Sequence, residues 1–323
     1  MWQVSNDINK QVLYRYSFII ENIFQLLIEI SGKENKLELL KDNLYLAKVF
    51  DGNEYLNSKL LTINRSPNDT FIKLLIEIIK LDKNTLENEF KIYKEQNDQI
   101  NNTNYNLNEE NHPESLIKLF KDYFYDTFFG VAWIWSDLVG KNYTRGMFKT
   151  DFLDENKLYV CPYCDTDTIS NIRNSWIEHF LPKSKFPYIS CNVNNLMPSC
   201  TSCNVSGTGK GEDIKNPIIN QFSSQIGDQL EFEYKDGKIF IPENENPSVE
   251  NFVELLKLRK RYGEKNVNSR IISSLKNNYN IVLQLKNIDE FDNELFIDYI
   301  HNNGRNNGIY FVQKNILKYI DQM

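Results

Sequence analysis

The sequence lacks the marks of a secreted or membrane protein. No signal peptide opens it, and the longest uncharged apolar run, between Asp126 and Asp137, is far below the roughly 20 residues needed to cross a bilayer. A disulfide framework is not expected: of five cysteines, four fall into two Cys-x-x-Cys pairs that one zinc site accounts for, and Cys191 is left as a buried or free thiol. These absences point to a soluble protein of a reducing cytoplasm. An excess of positive charge is missing as well. The 323 residues carry a formal charge of −7, which argues against a generic nucleic-acid binder. There is no nucleotide-binding loop: the run GTGKG superficially follows the phosphate-binding pattern, but position 204 is Asn and position 211 is Gly, so it fails at both ends. Internal repeats and coiled-coil heptads are absent too.

What the chain has in quantity is aromatic residues, 20 Phe and 18 Tyr, enough at this length for one large core or two modest ones. Apolar residues at Ile8, Val12, Tyr16, Ile19, Ile23, Leu27 and Ile30 predict a helix over 5–31, with Gly32 as its stop. A second helix is expected over 36–49, and Ser66-Pro67 opens a third that continues towards Tyr93. Residues 96–112 are polar and Asn-rich and read as a long loop or linker, with His112 as a cap or loop residue. Pro113 begins a helix, apolar nearly all round, that runs to about Val139 and is expected to be central. Residues 142–159 read as a link. Farther on, LEFEY and KIFI around Asp236-Gly237 predict a β-hairpin over 230–241. Ser248 is expected to cap the next helix, and further helices follow over 266–285, 291–300 and 309–320, with His301 in a turn at HNNGRNNG. This order gives three regions: a helical part over 1–140 with a linker at about 96–112, a core over 141–225, and a hairpin with helices over 226–323.

The core holds the residues that carry chemistry. Cys161 and Cys164 form one pair and, 35 residues later, Cys200 and Cys203 form the other. Each pair on a tight turn aims two sulfurs at one metal, and four thiolates fill a tetrahedral zinc with no open position, so the expected zinc is structural. On cysteine spacing alone, a plain zinc ribbon used for packing or for binding nucleic acid fits equally well. Glu178 and His179 stand between the pairs, Asn195 stands five residues before Cys200, and Asn204 directly follows Cys203. Hydrolysis of a phosphodiester needs a base for water and a cation for the charge that builds on the phosphate. His179 is the side chain suited to take the proton near neutral pH. Glu178 and Asn204 offer the hard oxygens that Mg2+ or Mn2+ prefers. Neighbours on a regular strand face opposite sides, so Glu178 and His179 can serve one site only where the strand ends, bends or bulges, and Pro182 close behind agrees with an ending. Charge is uneven here: between 171 and 210, Arg173, Lys183, Lys185 and Lys210 stand against Glu178 alone, and seven basic residues between Lys257 and Lys276 stand against Glu264. Such runs supply a basic face for phosphates, although a solvated helix face explains the second run equally well.

Taken together, these positions resemble the HNH endonuclease family. There an acidic residue and a histidine on a first strand precede Asn-Leu five residues before a Cys-x-x-Cys, with His or Asn right after it. The resemblance covers about 50 residues and assigns the family's three named positions to His179, Asn195 and Asn204. It implies a small ββα-metal nuclease core in a mainly α scaffold, α+β overall, and a metal-dependent endonuclease. It also implies that the Asn195 amide pins the loop that orients His179. One departure stands out: the family often has a lysine three residues after the Asn, whereas VSGTG separates Asn204 from Lys210. The wider context, PKSKFP and NPIINQF, looks like the bacterial HNH proteins of anti-phage systems of the Septu and retron-linked kind. The implied substrate is DNA, which the family chiefly cuts; the sequence itself leaves RNA open. Basic clusters supply affinity without base readout. Targeting or restraint is therefore expected from a sensor protein such as an ATPase, or from a second copy of the chain, docked on the helical N-terminal part, with no membrane involved. The opposing expectation is a non-catalytic zinc module that binds nucleic acid or a protein partner and has no use for a second cation.

Overall fold

Amphipathic spacing sets the framework, and most of the chain is helical. The computed structural model describes residues 1–50, 58, 71–140, 143–169, 175–205, 207, 209–286 and 293–323. In chain order the longer elements are α1 (Asp7–Ser31), α2 (Phe71–Ile78), α3 (Lys83–Asn101), α4 (Ala132–Val139), α5 (Arg145–Asn156), β1 (Ser175–His179), β2 (Leu196–Cys200), a one-turn α6 (Thr201–Asn204), β3 (Glu233–Lys235), β4 (Lys238–Phe240), α7 (Pro247–Leu255), α8 (Leu258–Gly263), α9 (Lys265–Lys286), α10 (Asn293–Asn307) and α11 (Tyr310–Ile316). β1 pairs with β2 and β3 with β4, so the class is α+β, mainly α, with a strand–strand–helix order after the first cysteine pair. Among the described residues no helix is long and apolar enough to cross a membrane.

The chain divides into two units. The first comprises Met1–Ser5, Leu153–Glu178 and Pro198–Met323; the second comprises Asn6–Phe152 and His179–Met197. The second unit is organised by aromatic rings. Phe24 of α1 lies 5.5 Å from Tyr93 of α3 and 5.7 Å from Phe120, and Phe120 lies 4.7 Å from Tyr188. The helix expected over 113–139 is not continuous. Glu114–Ile117 is α-helical, Lys118–Thr127 winds more widely as a π-helix, and a tight turn at Phe128–Gly130 leads to extended Val131 before α4 begins. A segment apolar on all sides has no face to fix its winding; here it follows the rings it buries, Phe120, Tyr123, Phe124, Phe128 and Phe129.

Other expectations also meet tertiary partners. The helix read over 36–49 is three short pieces, Lys36–Leu39, Asn43–Leu46 and a 3₁₀ turn at Ala47–Phe50. The Ser66-Pro67 start lies outside the described residues, as does Arg173. α3 starts at an Asp82 cap and runs to Asn101, into the segment read as a loop. Its asparagines are used: Asn97 donates to the Tyr188 carbonyl at 3.1 Å, and Asn192 donates to Asn97 at 2.9 Å and to Asn101 at 3.1 Å. His112 lies in a loop, as expected, with its side chain buried there. Its side chain is 1% exposed, bonds Glu89 at 2.8 Å and packs on Tyr188, whose hydroxyl donates to the same carboxylate. The link over 142–159 contains α5.

In the first unit the hairpin forms as expected, shortened to β3 and β4, with Asp236 and Gly237 both at positive φ, as a tight two-residue hairpin turn demands. Asn246, not Ser248, caps α7: its side chain accepts from the Ser248 N–H, and Pro247 takes the first helical position. HNNGRNNG is not a turn through most of its length. α10 continues to Asn307, with His301 inside it, and the reversal comes at Gly308 and Ile309, both left-handed. Phe120→Ala should destabilise the second unit by about 3–5 kcal/mol, because it opens a cavity at the centre of the ring cluster. Urea unfolding followed by near-UV circular dichroism checks this.

Candidate functional site

The four cysteines meet in the first unit. Cys161 and Cys164 lie on a turn closed by the Asp165 N–H on the Cys161 carbonyl at 2.9 Å and by the Cys161 N–H on the Asp167 carbonyl at 2.8 Å. Cys200 ends β2 and Cys203 lies in α6. All four are buried and unbridged, and their sulfurs lie within 4.8 Å of one another. Cys161 to Cys203 and Cys164 to Cys200 are both 3.8 Å. A tetrahedral zinc with sulfurs at ~2.3 Å has sulfur–sulfur edges of about 3.8 Å, so the donor set and its spacing suit one zinc ion.

Charge at this cluster also calls for a cation. Burial pushes the Cys203 thiol well up, reinforced by the other three sulfurs, and contacts with Cys161 and Cys164 push Cys200 up. Burial opposes ionisation of Cys164 as well, but hydrogen bonds from the other sulfurs and the Arg261 charge hold it well below the ordinary thiol range. Four neighbouring thiolates repel one another unless a metal sits among them. Arg261, 8% exposed, supplies part of the balance, with Nη1 2.9 Å from the Cys203 sulfur and 3.7 Å from that of Cys200. The Tyr262 hydroxyl donates to the Cys164 carbonyl at 2.7 Å and fixes the first turn from the same helix, α8. Sequence reasoning missed Arg261; only the run of basic residues marked its neighbourhood.

Several members of that run meet internal acceptors. Arg259 forms a two-pronged pair with Glu250, both bonds 2.6 Å, and donates to the carbonyls of Ile241 and Pro242. Arg270 donates to the Thr166 carbonyl, and Lys257 reaches the Gly207 carbonyl at 2.6 Å. Lys260 and Lys265 of the same run are exposed, so the run is divided between internal bonds and a solvated face.

Glu178, Asn204 and Lys210 also belong to the first unit. The Lys210 ammonium lies 3.3 Å from the Glu178 carboxylate, and its side chain is 3% exposed against 19% for Glu178. Close packing at 209 and 210 puts it there: the Lys210 N–H donates to the Cys203 carbonyl at 2.8 Å, and a Cβ on Gly209 would fall 2.4 Å from that oxygen. Only glycine fits at 209. Asn204 is half-buried at the end of α6, directly after a zinc-type cysteine.

His179 and Asn195 belong to the second unit. β1 ends at His179, and the chain turns at once on Asn195. The Phe180 N–H donates to the Asn195 carbonyl at 2.9 Å, the Leu181 N–H to its Oδ1 at 2.8 Å, and its amide donates to the carbonyls of Leu181 and Ile189 at 3.0 and 3.2 Å. His179 is 7% exposed, and its Nε2 lies 2.9 Å from the Ser190 carbonyl. A carbonyl oxygen only accepts, so Nε2 carries the proton and Nδ1 is the basic nitrogen of the neutral ring. The Tyr125 ring meets the imidazole edge-on at 4.3 Å, with Arg145 and Lys183 over that same ring at 4.9 and 4.6 Å. Lys183 was read from the sequence as part of a basic run; Arg145 was not singled out.

No family model matches the chain, and no solved structure matches it. A short part of it is similar to a Septu protein. Over 60 residues the chain is 40% identical to the Septu protein PtuB of Bacillus thuringiensis, a match that covers 19% of this chain and 23% of that protein. The chain thus spans less than a quarter of the length of that relative.

Two outcomes are expected of this geometry. The purified protein should hold about one zinc per chain by elemental analysis, and Cys200→Ser should lose both the metal and solubility, since metal binding is coupled to folding here. Asn195→Ala, which strands buried groups at Leu181 and Ile189, should cost about 2–4 kcal/mol in urea unfolding.

Proposed function

We propose that this chain is a metal-dependent endonuclease of the HNH type that hydrolyses DNA in anti-phage defence. The observation that carries the reading is the state of His179: a nearly buried imidazole whose Nε2 is tied to a carbonyl and whose Nδ1 is the basic nitrogen, held where the strand ends on the Asn195 clamp. That is what a general base needs, because the fixed N–H prevents the ring from turning its acceptor away. The similarity to a Septu protein supports the defence role.

In this reading a water oxygen attacks phosphorus while its proton passes to Nδ1 of His179, and the bond from phosphorus to the leaving sugar oxygen breaks. Glu178 and Asn204 would hold a Mg2+ or Mn2+ ion, which takes up charge on the phosphate and the leaving oxygen. The zinc at the four cysteines holds structure and takes no part in the chemistry. Targeting falls to a partner, a sensor protein such as an ATPase or a second copy of the chain.

One observation favours a second reading. The Lys210 ammonium already neutralises Glu178, so a zinc module without a catalytic cation would explain that ion pair directly. Incubating the protein with plasmid DNA and with RNA, with and without Mg2+ or Mn2+, separates the two. Cleavage dependent on the added cation, lowered ~100 to 10,000-fold in His179→Ala, is the expected result. A His179→Ala protein that cuts at the parent rate would sink the assignment, and the absence of any cleavage would favour the zinc module.

A further inference from the structure

On a strand, residues two apart share a face, so Trp176 and Glu178 of β1 point to the same side, about 7 Å apart. Trp176 is 51% exposed, an unusual state for the largest apolar side chain. Its ring is not loose. The indole N–H reaches the Thr201 hydroxyl at 3.4 Å, on the one-turn helix that carries Asn204.

The surroundings restrict what the ring can receive. Among the described residues Thr201, Ser202 and Val205, on and just after α6, are exposed, and the Thr201 hydroxyl is the one shown against the ring. One exposed ring beside a hydroxyl is not the broad apolar centre that a protein partner would bury. It does offer a flat π-surface with a polar edge, which suits another flat ring. The acid on the same face of the strand, Glu178, is paired with Lys210, so its charge is balanced towards an approaching polyanion.

We propose that Trp176 is a stacking platform for an unpaired nucleobase, and that the substrate is therefore nucleic acid with unstacked bases next to the scissile phosphate: a single strand, or a duplex opened at that point. This inference rests on the nuclease reading and deepens it. Stacking on an indole is tolerant of base identity, which agrees with a chain that has basic residues but no element for reading base edges.

The test uses the His179→Ala protein, which should hold substrate uncut, and fluorescent DNA of about 20 nucleotides, longer than one ~4–16 nucleotide site, as a single strand and as a matching duplex. The single strand should bind more tightly and quench tryptophan emission. Adding Trp176→Ala should lower single-strand affinity roughly 5- to 100-fold, while Trp176→Phe keeps most of the affinity but abolishes the quench. Trp133, also exposed, stays in every variant as an internal control. Undiminished binding in Trp176→Ala together with an unquenched parent would overturn the proposal alone and leave the nuclease reading standing. So would a Trp176→Ala protein that binds DNA normally but no longer holds a protein partner, since the ring would then be a docking contact. A parent that binds neither form at low salt would overturn the nuclease reading and this inference with it.

Discussion

Four sulfurs drawn to within 4.8 Å of one another, from two segments separated by 35 residues, are the constraint on which the rest of the site depends. Closing a loop of that length by side-chain packing alone costs conformational entropy that a small strand pair offsets poorly. A metal held by the four sulfurs would remove that cost in one step and make formation of the site all-or-none. Both ends of the loop are then fixed: Cys164 at its start, Cys200 and Cys203 at its close. Everything assigned to chemistry lies on that loop or in the few residues beyond its closing pair. Arg261 belongs to the same constraint. A tetrathiolate zinc centre carries two surplus negative charges, and a buried guanidinium at 2.9 Å from one sulfur offsets half of them.

Inside the loop a second principle operates, that of complete hydrogen bonding. Residues 179–197 run through the second unit with little regular structure, so their backbone groups need partners from side chains. Asn195 supplies three such bonds, Asn97 one to the Tyr188 carbonyl, and Asn6 one to the Val193 carbonyl at 3.0 Å. Asparagine suits this task because one side chain both donates and accepts. The high asparagine content, which locally looks like a mark of loop and linker, thus has a tertiary use. The imidazole of His179 is tied in the same way, through the Ser190 carbonyl.

What was legible in the sequence was local. Asp236-Gly237 between alternating strands fixes a hairpin because only residues that tolerate positive φ make that turn. Paired cysteines at two-residue spacing read as one metal centre for a similar reason. Period also revealed α1. Legibility ended where the deciding partner is far along the chain. His112 looked like a polar residue before a proline; its partners Glu89 and Tyr188 lie 23 and 76 positions away. The basic run around Arg259 read equally as a face for phosphates or a solvated helix face, and several of its members are bound to Glu250, to backbone carbonyls and to cysteine sulfurs. The segment 113–139, apolar on all sides, carries no period from which a break at Val131 or a change of winding could be read.

The pair formed by Lys210 and Glu178 constrains any cation at this carboxylate. Gly209 is pressed against the Cys203 carbonyl, and the ammonium of the next residue lies 3.3 Å from the carboxylate. At an effective dielectric of about 20, unit charges about 4 Å apart interact by ~4 kcal/mol, and a divalent ion near that ammonium would be repelled by about twice as much. Cation and ammonium therefore cannot share the carboxylate in this arrangement. The Lys210 side chain is buried, and its ammonium also donates to the Gly211 carbonyl at 3.1 Å, so the pair is held within the fold. In the proposed nuclease reading a divalent ion at Glu178 has to displace this ammonium, a conflict that a zinc module without a second cation does not meet.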